Sequence, residues 1–339
     1  MKKVKVEEAV GMVLAHDITR IVPGKFKGVG FKKGHLIQEE DIPELIRLGK
    51  HNLYILDISD AYLHEDDAAL RIAKAVSGED IRWTDPSEGK SGIISKAAGL
   101  LKINTVGLLK INKLDNIIIS TLKNNFPCRK NETVAATRII PLTIEREKIE
   151  RLEAIAEEFC PVIRILPYRN LKVGAVVTGT ELYEGLIQDE FDEFVGAKVS
   201  SYGSEVVKKT LVPDDPAAIA DAIRASVEAG CDLILTTGGL SVDPDDATRL
   251  GVEQSGANII AYGAPILPGA MFLYAFIGST PILGLPACVY YHRITIFDLM
   301  LPRVLAGDEI TQDDIAGMGH GGLCMSCKKC QYPVCPFGK

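Results

Sequence analysis

The sequence lacks the features of a nucleic-acid-binding or membrane protein. Its 38 Lys and Arg are outnumbered by 45 Asp and Glu, for a formal net charge of −7, and no long basic block offsets that balance. The longest apolar region, 259–277, is interrupted by Pro265, Pro268 and two glycines, so it is too mixed to span a membrane. The N-terminal MKKVKVEEAV has acidic residues where a signal peptide needs an apolar stretch. We therefore expect a cytoplasmic protein with neither a nucleic-acid nor a membrane partner.

The sequence also lacks an evenly spaced set of cysteines, which argues against a disulfide framework. Four of its eight cysteines are scattered, and the other four fall within the last sixteen residues, a distribution typical of a metal site. The remaining composition, 47% hydrophobic and 24% charged, is ordinary for a globular protein. A length of 339 residues predicts two or three domains.

The chain from residue 171 onward alternates strand and helix patterns. Strands are predicted at 171–179, 204–212, 231–237 and 281–287, and the run at 231–237 is apolar and uninterrupted, as parallel strands tend to be. Segment 214–230 predicts a helix with Asp215 as its N-cap, Pro216 in its first turn and Gly230 after its end. A closing helix is expected between 289 and 307, with His292 inside it. This order predicts an α/β fold with a doubly wound, mostly parallel sheet.

Residues 1–170 are less regular and predict a mixed α+β region. We expect a β-rich segment at 1–60, a mixed domain with a linking helix at 61–170, the α/β domain at 171–307 and a cysteine-rich tail at 317–339. Helices are predicted at 41–50, 64–76 and 143–159. The topology of 77–142 stays open, because strand and helix signals mix there.

The stretch TTGGLSVDPDDATRLG (236–251) follows a predicted central strand and combines two glycines with three aspartates. Ligands bind at the carboxyl edge of an open α/β sheet, where glycines let backbone N–H groups approach an anion. The alternative is a tight turn without a ligand. The loops VTGTEL (177–182) and VPDD (212–215) deliver further glycine and carboxylate to the same predicted edge.

Carboxylates beside an anion site are explained by a divalent cation, most simply Mg²⁺, between them and the phosphates of a ligand. Glu181, Asp214 and Asp246 are the candidate metal-binding and catalytic residues. Asp243 and Asp245 are equally acidic, although one of them is also placed to cap the following helix.

The ordered set VTGTEL, VPDD, TTGGLSVDPDD, LPG (267–269) and LGLPA (283–287) resembles the molybdopterin-binding domain of molybdopterin molybdotransferases and adenylyltransferases, the gephyrin-like proteins. The likeness covers 171–306, and EEAVGMVLAHDI (7–18) and VAATRIIPL (134–142) extend it more loosely.

The resemblance implies a pocket for molybdopterin or its adenylylated form, with Mg²⁺ assisting molybdate insertion and nucleotide release. It also implies a homodimer, because relatives have pockets at a subunit interface. The residues that it assigns to binding the pterin are Thr178, Gly179, Thr237, Gly238, Gly239, Ser241, Asp243, Asp245, Pro268, Gly269 and Pro286.

Three departures from the family pattern are expected to weaken the binding of an anionic substrate. Ala270 stands where a lysine is usual, Ala287 and Cys288 replace a glycine and an asparagine, and Phe191 replaces another asparagine. A protein that binds molybdopterin without turnover, as a maturation or carrier factor for a molybdenum enzyme, is therefore the alternative to a molybdotransferase.

The tail CMSCKKCQYPVCPFGK contains Cys324, Cys327, Cys330 and Cys335, with two, two and four residues between successive cysteines. Four thiolates this close suit a zinc site or an iron–sulfur cluster. Free thiols, a disulfide, or a disordered tail beyond a flexible GMGHGG joint (317–322) are the alternatives. A generic nucleotide-binding or redox protein built around such a cluster is a third functional hypothesis.

Overall fold

A computed structural model of the protein describes residues 2–22, 26–55, 61–240 and 247–338. Up to residue 167 the strands are β1 (Lys2–Lys5), β2 (Ile18–Val22), β3 (Phe26–Phe31), β4 (Asn52–Ile55), β5 (Tyr62–His64), β6 (Ile81–Trp83), β7 (Lys90–Ser95), β8 (Gly99–Ile103), β9 (Ile117–Thr121), β10 (Pro127–Cys128), β11 (Thr133–Ile139), β12 (Thr143–Glu145) and β13 (Ile163–Pro167). The helices of this region are α1 (Ile42–Arg47), α2 (Glu65–Val76), α3 (Thr105–Asn112) and α4 (Arg146–Glu158).

From residue 168 onward the elements are β14 (Lys172–Thr178), α5 (Thr180–Tyr183), α6 (Ala197–Ser201), β15 (Glu205–Val212), α7 (Pro216–Glu228), β16 (Leu233–Thr237), α8 (Thr248–Gln254), β17 (Asn258–Tyr262), β18 (Leu273–Ile277), β19 (Thr280–Leu285), α9 (Ile296–Leu305) and α10 (Gln312–Gly317). The chain forms two compact units. The first unit comprises Met1–Ala97, Lys102–Leu122 and Lys130–Ile165, and the second comprises Ala98–Leu101, Lys123–Arg129 and Leu166–Lys339.

The first unit contains an antiparallel sheet that accounts for most of the segment left open by the sequence. Its strand order is β6-β7-β11-β9, and α2 packs against β7 and β11. His64 caps α2, because its Nδ1 accepts a hydrogen bond of 3.3 Å from the backbone N–H of Asp66. A separate small core around Leu14, Ile37 and Leu53 lies closer to the N-terminus.

The second unit is built on one six-stranded sheet of order β15-β14-β16-β19-β18-β17. The first four strands are parallel to one another, and β18 is antiparallel to both of its neighbours. The predicted doubly wound, mostly parallel α/β fold is therefore confirmed. Helix α7 follows the predicted pattern, since Asp215 Oδ1 accepts a hydrogen bond of 2.7 Å from Ala218 N–H and Pro216 lies in the first turn.

The central strands are apolar throughout because both of their faces are buried. Val177 of β14 and Leu235 of β16 enter a core on one face of the sheet. Val176 and Ile234 enter a second core on the other face. Burial on both faces removes the polar alternation of a half-exposed strand.

The closing helix begins later than the sequence predicts. A short 3₁₀ turn spans Ala287–Tyr290, and α9 starts only at Ile296, where Thr295 and Asp298 form a capping box. The placement of His292 inside a helix was therefore wrong. Within the described ranges, no helix is both long and apolar enough to cross a membrane.

Candidate functional site

The predicted pterin-binding and Mg²⁺-binding residues that the structure describes lie at one edge of the second unit's sheet. Parallel strands β15, β14, β16 and β19 end there at Val212, Thr178, Thr237 and Leu285. The loops that follow contribute the candidates Asp214, Gly179, Glu181, Gly238, Gly239 and Pro286. The loop with Pro268 and Gly269 joins β17 to β18 at the same edge, because β17 ends and β18 begins there. We call this set of loops the strand-end edge.

Buried hydroxyl groups connect the ends of β14 and β16. Thr178 Oγ1 donates to the Thr237 carbonyl oxygen over 3.0 Å and lies 3.2 Å from Thr248 Oγ1. Thr248 in turn donates to the Gly238 carbonyl oxygen over 2.8 Å. These bonds fix the turn after β16 against the end of β14.

Tyr290 extends this network and was not among the residues predicted from the sequence. Its hydroxyl donates to Thr237 Oγ1 over 2.9 Å. Burial raises the pKa of Tyr290 to about 12, so the phenol remains a hydrogen-bond donor at neutral pH. Only the sheet brings Tyr290 beside Thr237, and no local sequence signal marks it.

The two glycines of TTGG are required by packing. Gly238 has φ +88°, and a Cβ there would lie 2.3 Å from the Thr178 carbonyl oxygen. Gly239 has φ +55°, and a Cβ there would lie 2.6 Å from Thr248 Oγ1. A tight turn therefore accounts for both glycines without a ligand. The next candidates, Ser241, Asp243, Asp245 and Asp246, lie outside the described residues.

Asp214 has a structural partner at the strand-end edge. Its Oδ2 accepts hydrogen bonds from the backbone N–H of Thr180 at 2.8 Å and from Thr180 Oγ1 at 3.1 Å. This contact ties the loop after β15 to the start of α5, directly before the exposed Glu181. The two carboxylates thus lie on adjacent loops.

The carboxylates of Asp214 and Glu181 suit a hard divalent cation, because such an ion prefers carboxylate oxygens. A different group, in the first unit, has three ligand atoms within 4.8 Å of one another in the described part of the chain: His64, Glu65 and Asp66. A lysine already serves that group, since Lys33 Nζ lies 2.6 Å from His64 Nδ1 and 3.3 Å from Asp66 Oδ2. Capping of α2 by His64, with acidic residues in the first turn, accounts for this group without a metal.

Phe191, Ala270 and Cys288 each lack the charged or amide group that the family pattern has at their positions. Phe191 is fully buried in the core of the second unit, so this position offers the site nothing polar. Ala270 supplies only its backbone, and its carbonyl oxygen accepts a hydrogen bond from Ala264 N–H. Cys288 is half-buried, and burial raises the pKa of its thiol, so it stays neutral where the family carries an amide.

The cysteine tail is packed onto the second unit. Leu267 N–H donates to the Gly322 carbonyl oxygen and Cys324 N–H donates to the Leu267 carbonyl oxygen, both over 2.8 Å. Phe337 lies in the main core with 3% of its surface exposed. The alternative of a disordered tail is therefore wrong. The four tail cysteines are free thiols in the structure.

Comparison with known proteins identifies the central domain. Residues 174–306 match the family described as "Probable molybdopterin binding domain", and residues 3–57 match a domain of unknown function. A molybdopterin molybdenumtransferase from Haemophilus influenzae is 31% identical over 144 residues, which cover 40% of this chain and 35% of that protein. A CinA-like protein from Petrotoga mobilis is 38% identical over 85 residues, covering 25% of this chain and 21% of that protein.

A solved structure of the molybdopterin biosynthesis enzyme MoaB from Thermus thermophilus is similar over 41% of this chain and 98% of its own, with 23% identity and a TM-score of 0.34. The chain spans about a third of the matched molybdenumtransferase and about a fifth of the CinA-like protein. The family match coincides with the sheet that carries the strand-end edge. Residues 174–306 therefore belong to the probable molybdopterin-binding domain family, as the ordered motifs of the sequence predict.

Proposed function

We propose that the second unit binds molybdopterin at the strand-end edge and inserts molybdate into its adenylylated form, releasing AMP. The observation that supports this proposal is the convergence of four parallel strand ends, which carry the hydroxyl network of Thr178, Thr237 and Thr248 beside Asp214. Open α/β sheets bind their ligands at such an edge.

Glu181, Asp214 and Asp246 would hold Mg²⁺ in this proposal. The ion, when bound, polarises phosphoryl oxygens and neutralises the charge that develops on them. Asp214 has a second task, because its bonds to Thr180 position the backbone that precedes Glu181. The Gly238–Gly239 turn follows β16 at this edge, where its backbone N–H groups would approach the phosphates of the ligand.

Release of AMP tests the proposal. Purified protein is incubated with molybdate, Mg²⁺ and adenylylated molybdopterin, and AMP is measured over time. The variant Asp214→Asn keeps an oxygen that accepts from Thr180 but loses the charge, and we expect the rate to fall by about 10²-fold or more.

Asp221→Asn is the matched control, because Asp221 lies exposed on α7 and pairs only with Arg224 there. The control should release AMP at the unchanged rate. Wild-type protein that releases no AMP with Mg²⁺ or any other divalent ion would contradict insertion activity, and equal rates for both variants would contradict the role of Asp214.

A second candidate function is binding without turnover, as a carrier or maturation factor for a molybdenum enzyme. The apolar Ala270, the buried Phe191 and the neutral Cys288 favour it, because each removes a polar or charged group from the family pattern. It predicts tight pterin binding and no AMP release. The double variant Ala270→Lys and Cys288→Asn should then gain AMP release, whereas a double variant that stays inactive counts against these positions as the cause.

The remaining partners are also proposals. The substrates would be the pterin and molybdate, and the carrier function adds a molybdenum enzyme as client. The homodimer implied by the resemblance stays a prediction, which light scattering of the purified chain would measure.

A further inference from the structure

The four tail cysteines surround one cavity, which the sequence could not establish. The cavity has a volume of about 240 Å³, and Cys324, Cys327, Cys330 and Cys335 all line it. We call it the cysteine cavity. In a bacterial ferredoxin run of similar spacing the fourth cysteine binds a different cluster, whereas here Cys335 reaches the same space as the other three.

The sulfur atoms are spaced more widely than the ligands of a single zinc ion. Four thiolates around one zinc at about 2.3 Å stand about 3.8 Å from one another. All four cysteines are among the described residues, yet no three of their sulfurs lie within 4.8 Å of one another. In a cubane cluster each thiolate binds a different iron atom, so a cluster suits more widely spaced sulfurs than one zinc ion does.

The walls of the cavity are fixed from both ends of the tail. Cys324 is held at the start through its N–H bond to the Leu267 carbonyl oxygen, and Phe337 is buried in the core at the end. Between them, the Tyr332 hydroxyl donates to the Asp298 carbonyl oxygen over 3.0 Å. Contacts with the rest of the fold therefore hold the walls of the cysteine cavity in place.

The charge around the cavity suits a negatively charged cluster. Its lining includes His292 and Arg293, and no Asp or Glu is found among the described residues that form it. Lys328 and Lys329 are exposed between the second and third cysteines. The four thiolates and four sulfides of such a cluster together carry more negative charge than its irons neutralise, and nearby cations offset the excess.

We propose that Cys324, Cys327, Cys330 and Cys335 bind a [4Fe–4S] cluster in the cysteine cavity. This proposal does not depend on the proposed pterin function. The cysteine cavity is close to the strand-end edge. His292 lines the cavity, and its N–H donates over 2.9 Å to the carbonyl oxygen of Cys288, which lies in the loop after β19.

Anaerobic reconstitution of the full chain tests the proposal. The metal-free protein is incubated with ferrous iron and sulfide, desalted and analysed for iron, sulfide and zinc. We expect about four iron and four sulfide ions per chain, broad absorbance near roughly 400 nm, and a paramagnetic signal after reduction with dithionite. One tightly bound zinc per chain that iron and sulfide do not replace would overturn the proposal, as would no bound metal.

Cysteine variants locate the site. Cys335→Ser should lower bound iron at least severalfold, and Cys160→Ser is the matched control, because Cys160 is exposed in the first unit. Circular dichroism shows whether each variant is folded. Folded Cys335→Ser protein with a full cluster would exclude the four-cysteine set. If that variant does not fold, Cys327→Ser, at an exposed cysteine, answers the same question.

Discussion

The strand-end edge and the cysteine cavity lie in the same unit but are assembled in different ways. The edge collects side chains from Thr178 to Tyr290 by pairing parallel strands across the sheet. The cavity collects four cysteines from twelve consecutive positions, 324–335. The edge thus depends on the whole sheet, whereas the cavity depends on where a short tail is anchored.

This difference predicts that the two sites can be damaged separately. A substitution that disturbs the ends of β14 and β16 should impair pterin binding and leave the tail intact. A substitution that releases the tail should impair metal binding and leave the sheet intact. Each prediction below tests one side of that separation.

The largest effect is expected from Phe337→Ala, which removes a core side chain that anchors the tail. Emptying a buried Phe site costs about 3–5 kcal/mol, so the free energy of unfolding should fall by that amount. Bound iron should fall with it, while pterin binding persists. Denaturation, iron analysis and pterin titration measure these three effects, with Val334→Ala as control, because Val334 is 75% exposed and does not line the cavity. Full iron occupancy in folded Phe337→Ala protein would contradict the anchoring role.

The next effect is expected from Gly238→Ala, which strains the turn of the strand-end edge. The new Cβ would lie 2.3 Å from the Thr178 carbonyl oxygen at φ +88°, and strain with overpacking costs about 3 kcal/mol. Gly256→Ala is the matched control, since Gly256 has the same φ and no atom within 4 Å of that Cβ. It should cost about 1 kcal/mol.

Denaturation of both glycine variants measures this difference, and pterin titration should show weaker binding for Gly238→Ala alone. Equal losses of stability would show that backbone strain, and not contact with Thr178, determines the cost. Loss of the tail metal in folded Gly238→Ala protein would contradict the separation of the two sites.

A smaller effect is expected from Tyr290→Phe, which removes the hydrogen bond to Thr237 Oγ1. The loss should cost about 1 kcal/mol and weaken pterin binding severalfold. Thermal unfolding and titration with molybdopterin measure both. The adjacent Tyr291 is 71% exposed, so Tyr291→Phe should change neither, and equal effects for the two variants would remove Tyr290 from the network.

The smallest effect is expected from the double variant Lys328→Gln and Lys329→Gln. Both side chains are exposed, so stability should change by less than about 0.5 kcal/mol. The reduction potential of the proposed cluster should become more negative, because two cations that favour the reduced form are lost. Redox titration measures the shift against a Lys2→Gln and Lys3→Gln control in β1. An unchanged potential would contradict the electrostatic role of the two lysines.

Local sequence patterns predict the central elements of the α/β domain, because the residues that form those patterns have the expected roles in the structure. Asp215 and Pro216 begin α7 as expected, and the apolar run at 231–237 forms β16, buried on both faces. The parallel order implies that carboxyl ends meet at one edge, so the sequence predicts Asp214 and Glu181 on neighbouring loops. The family match to 174–306 confirms the identification made from the ordered motifs.

Other features depend on contacts between distant parts of the chain. The sequence placed His292 in a helix, but the capping box of Thr295 and Asp298 delays α9. It did not find Tyr290 or Thr248, whose roles depend on facing Thr237 and Thr178 across the sheet. The antiparallel sheet within 77–142 was equally hidden, since its strands pair across long separations.

The sequence by itself determined the family of the central domain, its four parallel strands with helix α7, and the presence of four closely spaced thiols. These features are encoded by residue type and short spacing, which the chain carries whether folded or not. Only the tertiary structure decided that Gly238 must be a glycine, that Phe191 belongs to the core, and that Cys335 shares a cavity with Cys324. Each depends on the distance between groups that pack together only when the sheet and the tail are in place.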